Sequence, residues 1–159
     1  IEMLPLCFDE VRLPAESFDA VVFLNVLEHL PSPSRALAQA AELLRPTGIV
    51  FVEVPYIFTL AVKIFGKKWF HFEPTHYYYF SEETLGSMMQ KAGLRVLEMC
   101  FLPKFMSPAV VVDSFAKHMP FVNTVRGPLK ELFALTGLER RFFRLKSRDF
   151  LGVIAQKCG

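Results

Sequence analysis

The sequence predicts an α/β domain built around a parallel βαβ unit, and three observations carry that reading. Two short runs, "AVVFLN" at 20–25 and "IVFVEV" at 49–54, are apolar at almost every position, as strands buried on both faces are. Between them, Ala36, Leu37, Ala40, Ala41, Leu43 and Leu44 recur at helical spacing. The connections are short, and a strand, helix and strand so joined make a right-handed crossover with the two strands parallel.

The first strand, Val21–Leu24, is flanked by Asp19 and Asn25. Its helix has Ser32 as N-cap and Pro33 at the first helical position, Arg45 in the last turn, and Pro46 and Gly48 as stops. The second strand, Ile49–Val54, ends at Pro55. Residues 56–80 are aromatic and irregular, with a helix over Phe58–Phe65 and then a long ordered loop, a kind of segment that usually serves function. In "SEETLGSMMQKAG", Ser81 caps a helix, Glu82 and Glu83 suit its positive end, and Gly93 ends it. "LRVLEMCFL" is a third strand. Pro103, Pro108, Pro120 and Pro128 divide 103–148 into short amphipathic helices, and Asp149–Lys157 is the last strand.

Composition bounds the class. At 159 residues, 52% of them hydrophobic and with a mean hydropathy of +0.32, the chain buries a core as one domain and is not disordered. Glu53, Pro55 and Lys63 interrupt the most apolar stretch, so no run approaches the roughly 18 clean residues of a membrane span. No basic segment leads into an apolar one at the N-terminus, so no signal peptide is read there. Cys7, Cys100 and Cys158 are odd in number and far apart, which fits reduced thiols of a cytoplasmic protein better than disulfides or zinc. Charge is uneven: residues 1–115 carry 9 basic and 13 acidic groups, residues 116–159 carry 9 and 3. The basic end is either a solvated helix face or a surface for phosphates or anionic lipid.

The block "LPAESFDAVVFLNVLEHLPSPSRALAQAAELLRPTGIVFVEVP" resembles the central block of S-adenosylmethionine-dependent methyltransferases of the Rossmann-like class. "HFEPTHYYYFSEETLGSMMQKAGLRVLE" is similar to the block that follows it in their small-molecule branch. The resemblance covers residues 9–99 and the final strand. It implies the C-terminal part of a seven-stranded sheet, holding strands 4, 5, 6 and 7 with flanking helices, mostly parallel with one antiparallel strand. Residues 103–148 would be a helical insertion before the last strand. One departure matters: the family's Gly-rich loop after its first strand, which lets the backbone approach the cofactor, has no counterpart among these glycines. The chain is therefore expected to be an N-terminally truncated methyltransferase domain, inactive alone, with an exposed strand edge.

What the resemblance implies for the site can be set beside the chemistry of each residue. Asp9 stands where the family places a carboxylate that accepts from the adenine amino group; the other reading is a turn aspartate before Pro14. Leu24 stands where the family contacts S-adenosyl-L-methionine, at the carboxyl edge of the sheet where ligands of α/β folds bind. Asn25 beside it suits either a polar end of the cofactor or a structural bond to the next loop. His29 is a candidate base, since an imidazole can take a proton from an acceptor hydroxyl or amine; with Glu28 it reads either as site chemistry or as a buried hydrogen-bonded pair. Ubiquinone-type relatives associate a Glu-x-x-Glu-His set with a divalent metal. Asn25 replaces its first carboxylate, so no metal is expected. Tyr56, Trp69, His71 and Tyr78 would border the acceptor, or pack as a lid without touching it, and His76 is a second candidate base. No cysteine or third histidine lies near His71 and His76 in sequence, which disfavours zinc.

The leading expectation is a methyltransferase that uses S-adenosyl-L-methionine on a small-molecule or lipid-linked acceptor. "VKIFGKKWF" at 62–70 would give membrane-surface contact in the lipid-linked case. The alternative is a non-catalytic methyltransferase-like binding module, which the missing glycine loop and the basic end favour. Nucleic acid is not expected as a partner, because no Asn-Pro-Pro-Tyr-like motif is present to hold a flipped base.

Overall fold

A computed structural model describes residues 3–69, 72–116, 119–145 and 148–158. In chain order it contains β1 (Phe18–Leu24), α1 (Pro33–Leu43), β2 (Leu44–Pro55), α2 (Leu60–Phe65) and α3 (Glu82–Lys91). There follow β3 (Leu94–Phe101), β4 (Lys104–Met106), α4 (Pro108–Ala116), α5 (Pro120–Leu135), β5 (Phe143–Leu145) and β6 (Phe150–Lys157). Four strands form one sheet in the order β1-β2-β6-β3, and β4 pairs with β5 separately.

The parallel βαβ unit is present: β1 lies parallel to β2, with Val21 opposite Val50 and Phe23 opposite Val52. The expectation of a mostly parallel sheet needs correction. β6 runs antiparallel to both β2 and β3, so two of the three pairings are antiparallel. The cause is topological. The last strand returns between two strands that point the same way, and one reversed strand in that position produces two antiparallel ladders.

Side chains alternate across the sheet. Val50, Val52 and Val54 of β2 and Leu151, Val153 and Ala155 of β6 point to one face, all fully buried. They pack with Leu37 and Ala40 of α1 and with Leu85 and Met89 of α3 in one core. The other face is barer: Val22 and Leu24 are each 54% exposed and Ile49 is 38% exposed. Burial of β1 on both faces, read from its apolar run, therefore holds for one face only. Among the described residues, α1 and α3 both sit on the same side of the sheet.

Several element boundaries differ from those the local signals predict. The chain is already extended at Leu44, so Arg45 lies in β2 and forms an ion pair with Asp19 at 2.8 Å instead of closing the helix. Ser32 occupies the N-cap of α1 without a side-chain capping bond, and Pro33 begins the helix. Ser81 does cap α3: its Oγ accepts from the Thr84 amide at 3.2 Å, and Thr84 Oγ1 accepts from the Ser81 amide at 2.9 Å. Pro108 and Pro120 open α4 and α5, the position where a missing N–H costs nothing. Pro128, expected to break a helix, lies inside α5. It sits on the exposed side, where water can serve the Thr124 carbonyl that loses its donor.

Candidate active site at the carboxyl ends of β1 and β2

Several of the residues singled out by sequence, namely Leu24, Asn25, Glu28, His29, His76 and Tyr78, lie together where β1 and β2 end. After Leu24, Asn25 takes a positive φ of 50°, which turns the chain sharply out of the strand. Two bonds hold that turn. The Asn25 amide N–H donates to the Glu53 carbonyl at 3.0 Å, and its side-chain Nδ2 donates to Glu53 Oε1 at 3.1 Å. The Asn25 side chain is thus engaged by Glu53 of the neighbouring strand. Leu24, more than half exposed, remains on the open side of the sheet end.

The turn delivers a short 3-10 segment, Leu27–His29. Leu27 enters the core, and Glu28 is 0% exposed. The segment at 75–80 straps over it. The Tyr77 and Tyr78 amides both donate to the Glu28 carbonyl, at 2.9 and 3.3 Å, and Tyr78 Oη donates to the Pro31 carbonyl at 3.0 Å. His29 Nδ1 lies 2.9 Å from the Thr75 carbonyl oxygen. A carbonyl only accepts, so Nδ1 carries the proton and the neutral ring keeps its lone pair on Nε2. The His29 and His76 rings meet edge to face, with centroids 4.5 Å apart.

Electrostatically, Glu28 is the unusual group. Neither carboxylate oxygen has a hydrogen-bond partner among the described residues, although both are shielded from water. Burial pushes its pKa up; its own backbone amide and His29 pull the other way, and Glu53 adds to the rise. One ligand atom each from Glu28, His29 and His76 lies within 4.8 Å of the others. Two imidazoles and one carboxylate can hold a borderline divalent ion such as zinc better than magnesium. They can equally pass a proton among themselves. Separation in sequence concealed this group: His76 meets Glu28 and His29 of the 3-10 segment, 48 and 47 positions earlier.

Trp69 is 1% exposed and packs edge to face on Phe72 at 5.1 Å, with Tyr79 beyond it, so it supports the strap from below. Tyr56, also buried, donates from Oη to Glu82 Oε2 at 3.3 Å and meets Phe101 edge to face. Its phenol pKa is raised, first by burial and then by the Glu82 charge. Asp9 falls in a 3-10 turn, Phe8–Glu10, that Gln39 ties to α1 through the Phe8 and Val11 carbonyls; its side chain lies outside what the structure describes. His71 lies outside the described residues altogether. A cleft of about 350 Å³ between residues 11–15 and the outer face of α1 contains none of the predicted residues. Two contributors went unread: Thr75, which sets the His29 tautomer, and Glu53, which anchors Asn25. Glu53 had a signal, a lone charge in the apolar run "IVFVEV", whereas a backbone carbonyl leaves none.

The profile of the methyltransferase domain family matches residues 5–99, well over half of the chain. The chain belongs to that family. It is 31% identical over 93 residues to the ubiquinone biosynthesis O-methyltransferase of Saccharophagus degradans, covering 54% of this chain and 39% of that protein. Its fold is similar to a chain in the complex of the Haloferax volcanii Trm112 methyltransferase activator with a methyltransferase. That match has a TM-score of 0.62 at 15% identity, over 96% of this chain and 59% of that one. An S-adenosylmethionine-dependent methyltransferase from Thermotoga maritima matches with a TM-score of 0.57 at 16% identity, over 95% and 61%. The chain thus spans about two fifths of the curated relative and about three fifths of these structures.

Proposed function

We propose that this chain forms the acceptor-side wall of an S-adenosyl-L-methionine-dependent methyltransferase acting on a small-molecule hydroxyl or amine. The observation that carries the reading is the convergence of Glu28, His29 and His76 at the carboxyl ends of β1 and β2, within a methyltransferase-family chain. On this reading β1, β2, β3 and β6 are strands 4, 5, 6 and 7 of the family's sheet. The relative named for ubiquinone biosynthesis supports a small phenolic acceptor, and a lipid-linked one extends the same proposal.

S-adenosyl-L-methionine, when bound, supplies a methyl group on a sulfonium that is ready for in-line displacement. The exposed apolar Leu24 fits a wall against it, while the Asn25 amide, engaged with Glu53, orients the turn. His29 has the tautomer a base needs: Nδ1–H is held by Thr75, and Nε2 takes the acceptor's proton as the oxygen or nitrogen attacks. The imidazolium so formed is stabilised by the neighbouring Glu28 carboxyl, and His76 offers a second proton site. Holding the acceptor in line contributes several kcal/mol, and the base contributes about 10²–10⁴-fold.

The test uses the full-length protein and labelled methyl transfer from S-adenosyl-L-methionine to a panel of simple phenols, with and without a prenyl chain. Transfer should occur, and His29→Ala should lower kcat by about 10²-fold or more with little change in cofactor affinity. Wild-type turnover in both His29→Ala and His76→Ala would remove the base from the account.

A further inference from the structure

We infer that α5 and the arginine-phenylalanine segment after it form a docking surface for an anionic lipid bilayer, separate from the site at the strand ends. The helix is amphipathic in the inverted sense. Phe121, Val125, Leu132 and Leu135 are 70%, 46%, 51% and 87% exposed, and Pro128 is exposed between them. At 100° per residue these five positions fall within about 80° of arc, along about 21 Å of helix. They make one continuous apolar line on the outside of the molecule.

The line faces outward because the opposite side is pinned. Arg126 Nε and Lys130 Nζ, about 140° and 180° round the helix from Phe121, both reach Asp113 on α4, at 2.8 and 3.0 Å. These two bonds also hold the Asp113 carboxyl below its usual pKa, so the clamp stays charged in mildly acidic solution. The outer apolar line has no such partner among the described residues.

Charge identifies what covers it. Directly after α5, the turn Leu138–Arg140 packs back on the helix and leads into "RRFFR", Arg140–Arg144. Arg141 and Arg144 are exposed, Phe142 and Phe143 are 66% and 49% exposed, and Arg144 pairs across the strand with Phe105, itself 64% exposed. Residues 116–159 carry nine basic and three acidic groups. Exposed apolar and aromatic side chains followed directly in the chain by exposed arginines match an interface of acyl chains and anionic headgroups. A nucleic-acid backbone would leave the apolar line unused. A second copy meeting the same face would set like-charged arginines against one another. No helix among the described residues is long and apolar enough to cross a membrane, so the contact lies in the surface plane.

The test is flotation of the full-length protein with phosphatidylcholine vesicles, either pure or containing about 30% phosphatidylglycerol, at about 0.1 M and about 0.5 M salt. The protein should float with the anionic vesicles at low salt, at least about tenfold more than with neutral ones, and high salt should release most of it. Leu132→Glu/Leu135→Glu and Arg141→Glu/Arg144→Glu should each lower vesicle binding by about tenfold or more. Both pairs are exposed, so the circular dichroism spectrum should be unchanged. No flotation of the wild-type protein, or undiminished flotation of both variants, overturns the proposal. So does a wild-type dimer that Leu132→Glu/Leu135→Glu converts to monomer, because the face then belongs to a second copy.

Discussion

Helices α1 and α5 carry comparable apolar stripes and meet opposite fates. In α1, Ala36, Leu37, Ala40, Ala41 and Leu43 are all buried against the sheet. In α5, the line from Phe121 to Leu135 looks away from the protein, and the helix is held by Asp113 through its polar side. Periodicity shows that a helix has an apolar face and leaves open what covers it. The cover depends on neighbours in space: β1, β2 and α3 for α1, and for α5 something outside the described residues.

The sharpest way to break this comparison is to shave one leucine from each helix. Leu37→Ala should cost about 2–5 kcal/mol in denaturant unfolding, because a fully buried side chain leaves a cavity. Leu132→Ala should stay within about 0.5 kcal/mol, as exposed substitutions do. Equal losses would mean that α5 is packed and its stripe is not a surface.

Next in size is Glu28→Gln, which sets a buried polar group within the core against the solvated ones on α5. Removing an unsatisfied buried charge should stabilise the fold by about 1–3 kcal/mol at high pH. The sign of the pH dependence follows from the raised pKa. The native state holds the Glu28 proton more tightly than the unfolded chain does. The stability of the wild-type protein therefore falls as pH rises through the folded value, and the penalty vanishes below the unfolded value. Thermal melts across pH should show the variant's advantage growing from near zero in acid to its full size in base. The opposite trend would mean that Glu28 is ionised and well paired.

The smallest effect separates two caps. Ser81→Ala should cost about 1 kcal/mol, and Ser32→Ala, whose hydroxyl makes no capping bond, only a few tenths. Urea midpoints for the two variants check this.

These contrasts mark how far the sequence could be read. The βαβ unit, the Ser81 cap, the third strand and the closing strand were legible because short-range patterns determine them. The antiparallel placement of β6 was implied only by resemblance, and its effect on the pairings became clear with the strand order. At the site, Glu28 and His29 stood out as a polar pair after an apolar strand. The approach of His76 to them depends on a strap that closes through backbone bonds from Tyr77 and Tyr78 to the Glu28 carbonyl. Such bonds use no particular side chain and leave no mark in the letters. Tyr56 and Trp69 were visible as aromatics in an irregular segment, but only burial shows them supporting the strap. The exposed stripe of α5 was hidden by Pro128, which reads as a break and is accommodated on the wet side of the helix.

The central claim is that the ends of β1 and β2 line a cofactor-dependent methyl-transfer site. Calorimetric titration of the full-length protein with S-adenosylhomocysteine tests it most directly. The account predicts saturable binding that Leu24→Glu weakens by about tenfold or more, through a charge set on the apolar wall, while His29→Ala leaves it unchanged. Absence of binding heat, or binding indifferent to Leu24→Glu, would contradict it.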